Sequence, residues 1–272
     1  MPPTACPSCR TRLTRRVALG LALVPGLVST GIAAPAAPAL IDLRQRVAVA
    51  PGAPEVTVLT LDACGGAFDA ALLATLVRWQ VPATVFVTGT WIARQPAGVR
   101  ELLSHQQLFE LENHGAAHRP AVLGGSVYGM PGAPDRAAIA REIDDGAAVV
   151  QRASGRRPLW FRGAGAHYDA TGLEVIAERG HRVAGYSVNA DDGGTASAAT
   201  VTQRLLGLQS GDIVLGHLNR PAGGMAEGLA QALPRLLQRG LRFVRLSEAG
   251  PLQVLRPARP APAPRVPGTG VS

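Results

Sequence analysis

Apolar and polar positions along this chain follow two rhythms that alternate. Val56-Thr-Val-Leu-Thr-Leu61 is an aliphatic and β-branched run that stops at Asp62, as a buried strand does. Asp69 to Trp79 then carries Leu72, Leu73, Leu76 and Val77 at helical spacing. Ala83 to Thr88 reads as a second strand, part of Ile92 to Ser104 as a helix, and Leu108 to Leu111 as a third strand. Pro134 to Ala153 is a long helix with Asp135 in its first turn, and Pro158 to Phe161 is a strand. Ala170 to Arg179 is a helix stopped by Gly180. Val183 to Val188, a helix near Ala198 to Leu208, Ile213 to Leu215, a helix from Met225 to Arg239 and a strand from Leu241 to Leu246 complete the series. Repeated β–α alternation with short connections predicts a parallel sheet with helices outside it. About seven such units point to the α/β class and one distorted (β/α) barrel rather than two domains. Arg119 to Asp135, rich in glycine and proline, is expected to form a loop on the barrel rim.

The two ends of the chain break the alternation. Arg15-Arg16 precede an apolar stretch from Val17 to about Val28, then small residues from Gly31 to Ala39. That order is the pattern of an export signal, too short for an ordinary membrane span. The paired arginines suggest the twin-arginine route, with the Sec route as the alternative because the residues after Arg16 are not a full match. Residues 1–39 are therefore expected to be cleaved between Gly31 and Leu40, leaving a periplasmic or secreted protein without a stable membrane anchor. Residues 256–272, rich in Pro, Ala and Arg, are expected to be a disordered tail, and 40–255 the catalytic domain.

Composition changes this picture only at the margins. Formal charge is +8, and all 27 Lys/Arg positions are arginine. Much of the excess sits at the two ends, with few aromatics beside it, so nucleic-acid binding is not expected. Cys6 and Cys9 would leave with the signal, so Cys64 would be alone in the mature chain. Nothing in the sequence fixes an oligomeric state.

Candidate chemistry gathers at strand ends, where a parallel barrel builds its sites. Asp62-Ala-Cys-Gly-Gly66 follows the first strand, and His114-Gly-Ala-Ala-His118 follows the third. Histidines at i, i+4 would project from one face of a helical turn, a spacing at which two imidazoles can share one metal ion. Arg162-Gly-Ala-Gly165-Ala-His167-Tyr168, Asn189-Ala-Asp191-Asp192 and Gly216-His217 follow later strands.

This set, in this order, resembles the polysaccharide deacetylases, carbohydrate esterase family 4, from about Val56 to Leu246. The resemblance implies a metal-dependent deacetylase. His114 and His118 would hold zinc or a similar divalent ion, and Asp62 would be the general base, oriented by Arg162. His217 would be the general acid. Gly165, His167 and Tyr168 would face an acetylated carbohydrate substrate. Three departures mark a divergent branch. Ala63 stands where the family has a second aspartate that binds metal. Arg162 is followed by Gly163-Ala164-Gly165 instead of prolines and tyrosine, and Asp191-Asp192 lack a neighbouring tryptophan. With Ala63 in that place, Asp62 is the leading third ligand and Cys64 the second candidate; if Asp62 binds metal, Asp191 or Asp192 would serve as base. The expected reaction is removal of N-acetyl groups from an amino-sugar polymer or oligomer. The alternatives are an O-acetyl esterase, an amidohydrolase of small molecules, or a non-catalytic carbohydrate-binding relative.

Overall fold

The computed structural model describes residues 39–255, so the expected tail and all of the expected signal but Ala39 lie outside the described residues. Eight strands run parallel: β1 (Val56–Ala63), β2 (Ala83–Val87), β3 (Phe109–Asn113), β4 (Trp160–Phe161), β5 (Arg182–Val183), β6 (Val188–Asn189), β7 (Ile213–His217) and β8 (Arg242–Val244). Their order is β5-β4-β3-β2-β1-β7-β6, with β8 beside the start of β1. The sheet curls without closing, so the barrel is distorted as expected.

The outer face of the sheet is covered by α1 (Ala70–Arg78), α2 (Gly89–Arg94), α3 (Pro96–Ser104), α4 (Arg136–Ser154), α5 (Ala170–Glu178), α6 (Ala198–Leu206) and α7 (Met225–Gln238). Their starts follow from the sequence. Asp69, Asp135, Asp169 and Ser197 each accept a hydrogen bond from a first-turn amide, satisfying a donor the helix itself cannot. The single helix expected within 92–104 is two helices, because the chain turns at Gln95 and Pro96 starts the second.

Strand alternation divides the core in two. Leu59, Leu61 and Ala63 of β1 face outward and pack with Leu72 and Leu76 of α1 and Leu229 and Leu233 of α7. Cutting one such leucine to alanine costs about 2–5 kcal/mol. Val58, Phe86, Trp160 and Ile213 face inward and pack with Val47 and Leu246. Other inward positions are polar and also buried: Thr60, Asp62, Thr84, Glu110, Glu112 and Arg162. Glu112 stitches a seam. β3 and β4 pair only at Asn113–Phe161, and the Glu112 carboxylate accepts the amides of Leu159 (2.8 Å) and Trp160 (2.7 Å) beside it. Burial raises this carboxyl to about 8 despite those two bonds.

The strand expected over Val183–Val188 is instead two short strands on opposite edges of the sheet, β5 and β6. Its middle leaves the ladder because its carbonyls are engaged elsewhere. Arg162 donates to the Ala184 and Gly185 carbonyls, both at 3.1 Å, and Gln45 N donates to the Tyr186 carbonyl at 3.0 Å. The barrel's open edge is thus filled by one buried arginine and an N-terminal segment. His181 is buried against Phe161, and that burial lowers its pKa.

Candidate active site

A cleft of about 1010 Å³ opens at the carboxyl ends of the strands. Asp62, Cys64, His118 and His217 reach it from three different strand ends, with Tyr128, Gly165 and Asp192 on its walls.

Arg162 organises its floor. It has no exposed surface, and its guanidinium lies 4.4 Å from the centre of the Phe86 ring. Besides the two carbonyls at the barrel opening, it donates to Thr60 Oγ1 (2.8 Å) and Asp62 Oδ1 (3.0 Å). Burial alone would raise the Asp62 carboxyl. The Arg162 guanidinium, with His114 and His217 adding to it, holds it below the ordinary carboxylate range. Asp62 is therefore an anion with one oxygen fixed, and its other oxygen lies 3.7 Å from His114 Nε2.

The two histidines sit on a loop, not on the helical turn expected from their spacing. Gly115 at φ +87° and His118 at φ +61° leave right-handed helical space, and the loop curls around the Glu142 carboxylate. Glu142 Oε1 accepts the amides of Ala117 (2.8 Å) and Arg119 (3.1 Å), while Asn113 Oδ1 accepts that of Gly115 (2.9 Å). A Cβ at Gly115 would collide with Glu142, and one at Gly146 of α4 with Asn113 and the loop backbone, so both glycines let loop and helix touch. The turn still brings the two imidazoles together, with ring centres 4.9 Å apart.

His114 is buried, and its Nδ1 lies 2.7 Å from the Arg162 carbonyl. A carbonyl can only accept, so Nδ1 carries a proton and Nε2 is the ring nitrogen turned toward Cys64 and Asp62. Cys64 Sγ is 3.5 Å from that Nε2. Among the described residues, Cys64, His114 and His118 form the one group whose donor atoms could hold a metal ion, all within 4.8 Å of one another. One thiol and two imidazoles suit a borderline-soft divalent ion such as zinc. Burial would raise the Cys64 thiol, but the neighbouring imidazoles of His114, His118 and His217 bring it well below the usual range.

His217 stands across the cleft at the end of β7. Asp191, fully buried, accepts both its Nδ1 (2.9 Å) and its backbone amide (2.8 Å). Burial works against the imidazolium; the bond to Asp191, the Cys64 thiol and the charge of Asp62 outweigh it and raise His217 to about 10.

The structure brings together Asp62, His114, His118, Arg162, Asp191 and His217 from the set expected on sequence, and separates others. Asp191, expected as an alternative base, has both of its oxygens engaged by His217. Asp192 is exposed on the cleft wall and paired with Arg204 at 2.9 Å. Gly165 lines the cleft, and His167 stands beside it, edge-on to Tyr128. Tyr168 does not face the cleft: it is fully buried, and its hydroxyl accepts the Gly163 amide at 3.1 Å. Burial pushes its phenol up to about 12. Sequence reasoning missed Glu142, Asn113 and Thr60, whose ordinary helix and strand positions carry no signal. It also missed Asn219, packed against the Gly65–Gly66 turn.

Residues 50–184 match the family described as polysaccharide deacetylase. No curated protein matches the sequence. Among solved structures, the chain is similar to a family 4 acetyl xylan esterase from Clostridium thermocellum in complex with a cobalt ion (TM-score 0.59, 23% identity, covering 72% of this chain and 90% of that one). It is similar to a peptidoglycan deacetylase from Bacillus subtilis (TM-score 0.60, 20% identity, 74% and 92%). It is also similar to a CE4 family pseudoenzyme from Bacillus anthracis (TM-score 0.60, 18% identity, 72% and 65%), of which it spans just under two thirds. At these identities the likeness establishes the fold.

Proposed function

We propose, from the premise that this chain belongs to the polysaccharide deacetylase family through residues 50–184, that it is an exported, metal-dependent hydrolase removing N-acetyl groups from an amino-sugar polymer or oligomer. The observation that carries the reading is the convergence on one cleft of an arginine-held carboxylate, a histidine pair and a carboxylate-held histidine.

A divalent ion held by the histidine pair would polarise the acetyl carbonyl and acidify the attacking water. Asp62 accepts that water's proton; Arg162 fixes one of its oxygens and keeps it ionised until then. Asp191 keeps His217 protonated at neutral pH, so His217 can donate to the departing amine nitrogen. Base and acid are thereby poised in opposite protonation states by opposite partners, an arginine for one and an aspartate for the other.

Acetate release from chitooligosaccharides, peptidoglycan fragments and acetylated xylan tests the reading. The first two should be cleaved, and His217→Ala should lose amide turnover. Release from xylan alone would favour an O-acetyl esterase. Ala63 supports a second reading, a non-catalytic carbohydrate binder, because it removes a carboxylate that the family uses. In that case no substrate would yield acetate, although acetylated glycan would still bind.

A further inference from the structure

We infer that Cys64, not Asp62, is the third protein ligand of the metal site, and that Asp62 is thereby left free to act as base. The inference rests on the functional reading above and deepens it.

Strand alternation is the first ground. Along β1, Leu59, Leu61 and Ala63 face the helices and belong to the outer core. Thr60 and Asp62 face inward, toward Arg162. Continuing that period of two, position 64 returns to the inward side. Position 63 sits in apolar packing with no exposed surface, and Cys64 lines the cleft. The chain thus supplies a donor one residue later than the family's second aspartate would.

The second ground is what the neighbours are already doing. Asp62 gives one oxygen to a buried guanidinium, its other oxygen is 3.7 Å from His114 Nε2, and the donors gathered within 4.8 Å of one another are those of Cys64, His114 and His118. Cys64 Sγ is nearer to the same nitrogen, at 3.5 Å. His114 is fixed through Nδ1 by the Arg162 carbonyl, the outer contact that orients a ligating histidine and leaves Nε2 to bind. Three protein donors are the number that catalytic zinc sites supply. Exchanging a carboxylate for a thiolate shifts preference toward zinc and cobalt(II), away from magnesium and manganese.

The test is cobalt(II) titration of the full chain carrying Cys6→Ser and Cys9→Ser, so that Cys64 is the only thiol. A thiolate ligand produces a near-ultraviolet sulfur-to-cobalt charge-transfer band; carboxylate and imidazole do not. We expect the band to saturate at one cobalt per chain and to survive Asp62→Asn. Cys64→Ser should abolish it and weaken binding by more than about tenfold, the scale that even a ligand's outer partners command. Cys64→Asp should restore binding without the band, which separates a lost ligand from a lost fold. Zinc should also protect Cys64 from alkylation. One cobalt bound without the band, or binding lost in Asp62→Asn and kept in Cys64→Ser, overturns the assignment and leaves the functional reading standing. No cobalt or zinc bound at any ratio overturns both.

Discussion

Replacing Asp191 with Asn isolates the proposed acid. Asn keeps the size and an oxygen for the His217 amide, but removes the charge that faces the imidazole at 2.9 Å. A rise from 6.5 to about 10 corresponds to about 5 kcal/mol of preference for the imidazolium. That figure is the net shift and not the share of Asp191 alone: Cys64 and Asp62 add to it, and burial subtracts from it. The His217 side chain is only 12% exposed, so water cannot replace the lost partner. Without Asp191, burial pulls the pKa back toward or below its ordinary value, and His217 is mostly neutral at pH 8. The alkaline limb of kcat/KM should therefore move down by about two units or more. Amide turnover at pH 8 should fall about 10²-fold, the usual scale for a general acid, and recover partly at pH 6. An aryl acetate, whose leaving group needs no proton, should lose little. Stability gives an independent reading. The folded pKa lies above the unfolded one, so the pair's contribution is complete below pH 6.5 and is lost as pH rises through about 10. The gap in Tm between wild type and variant should be widest below pH 6.5 and close toward pH 10. An alkaline limb that stays in place, or equal losses on amide and aryl ester, would show that His217 is not the acid that Asp191 keeps protonated.

Three further outcomes are expected. Glu142→Ala strands the amides of Ala117 and Arg119, so stability should fall by about 1–3 kcal/mol and zinc affinity with it; thermal melts and metal titration check both. Tyr128 is 77% exposed on the cleft wall, edge-on to His167. Tyr128→Ala should leave Tm unchanged while raising KM for glycan oligomers roughly fivefold, equivalent to about 1 kcal/mol of lost ring stacking. The mature protein from its native host should begin between Gly31 and Leu40 by mass spectrometry; a chain that retains Met1 would contradict export with cleavage.

Much of this architecture can be read from the sequence, because β1, β2 and β7 are β-rich apolar runs that stop at a polar residue. Asp62, Arg162 and His217 are legible for the same reason: all three sit where such runs stop. The histidine pair is legible as a pair but not as a shape. Its i, i+4 spacing imitates a helix, whereas Gly115 and His118 take positive φ and Glu142, 24 residues beyond His118, holds the loop. Which of Asp191 and Asp192 turns inward depends on a tertiary contact with His217 that no local pattern encodes. Tyr168 looks like a cleft residue because it follows Gly165 and His167, but the backbone turn at Gly163–Ala166 sends it inward. The barrel opening is equally hidden. Val183–Val188 has strand composition, and only the demands of Arg162 and Gln45 on its backbone explain why it is not one strand. Cys64 was partly legible, since period-two alternation from Asp62 already aims it at the same side.

One reconstitution measures metal-dependent deacetylation at this cleft. The purified chain is stripped with a chelator, assayed for acetate release from an N-acetylated glycan oligomer, and assayed again after one equivalent of zinc, beside His114→Ala treated identically. Activity should disappear on stripping and return with zinc in the wild type, and should not return in the variant. Acetate release that survives both chelation and His114→Ala, or none from a wild-type chain holding one zinc, would contradict metal-dependent deacetylation here.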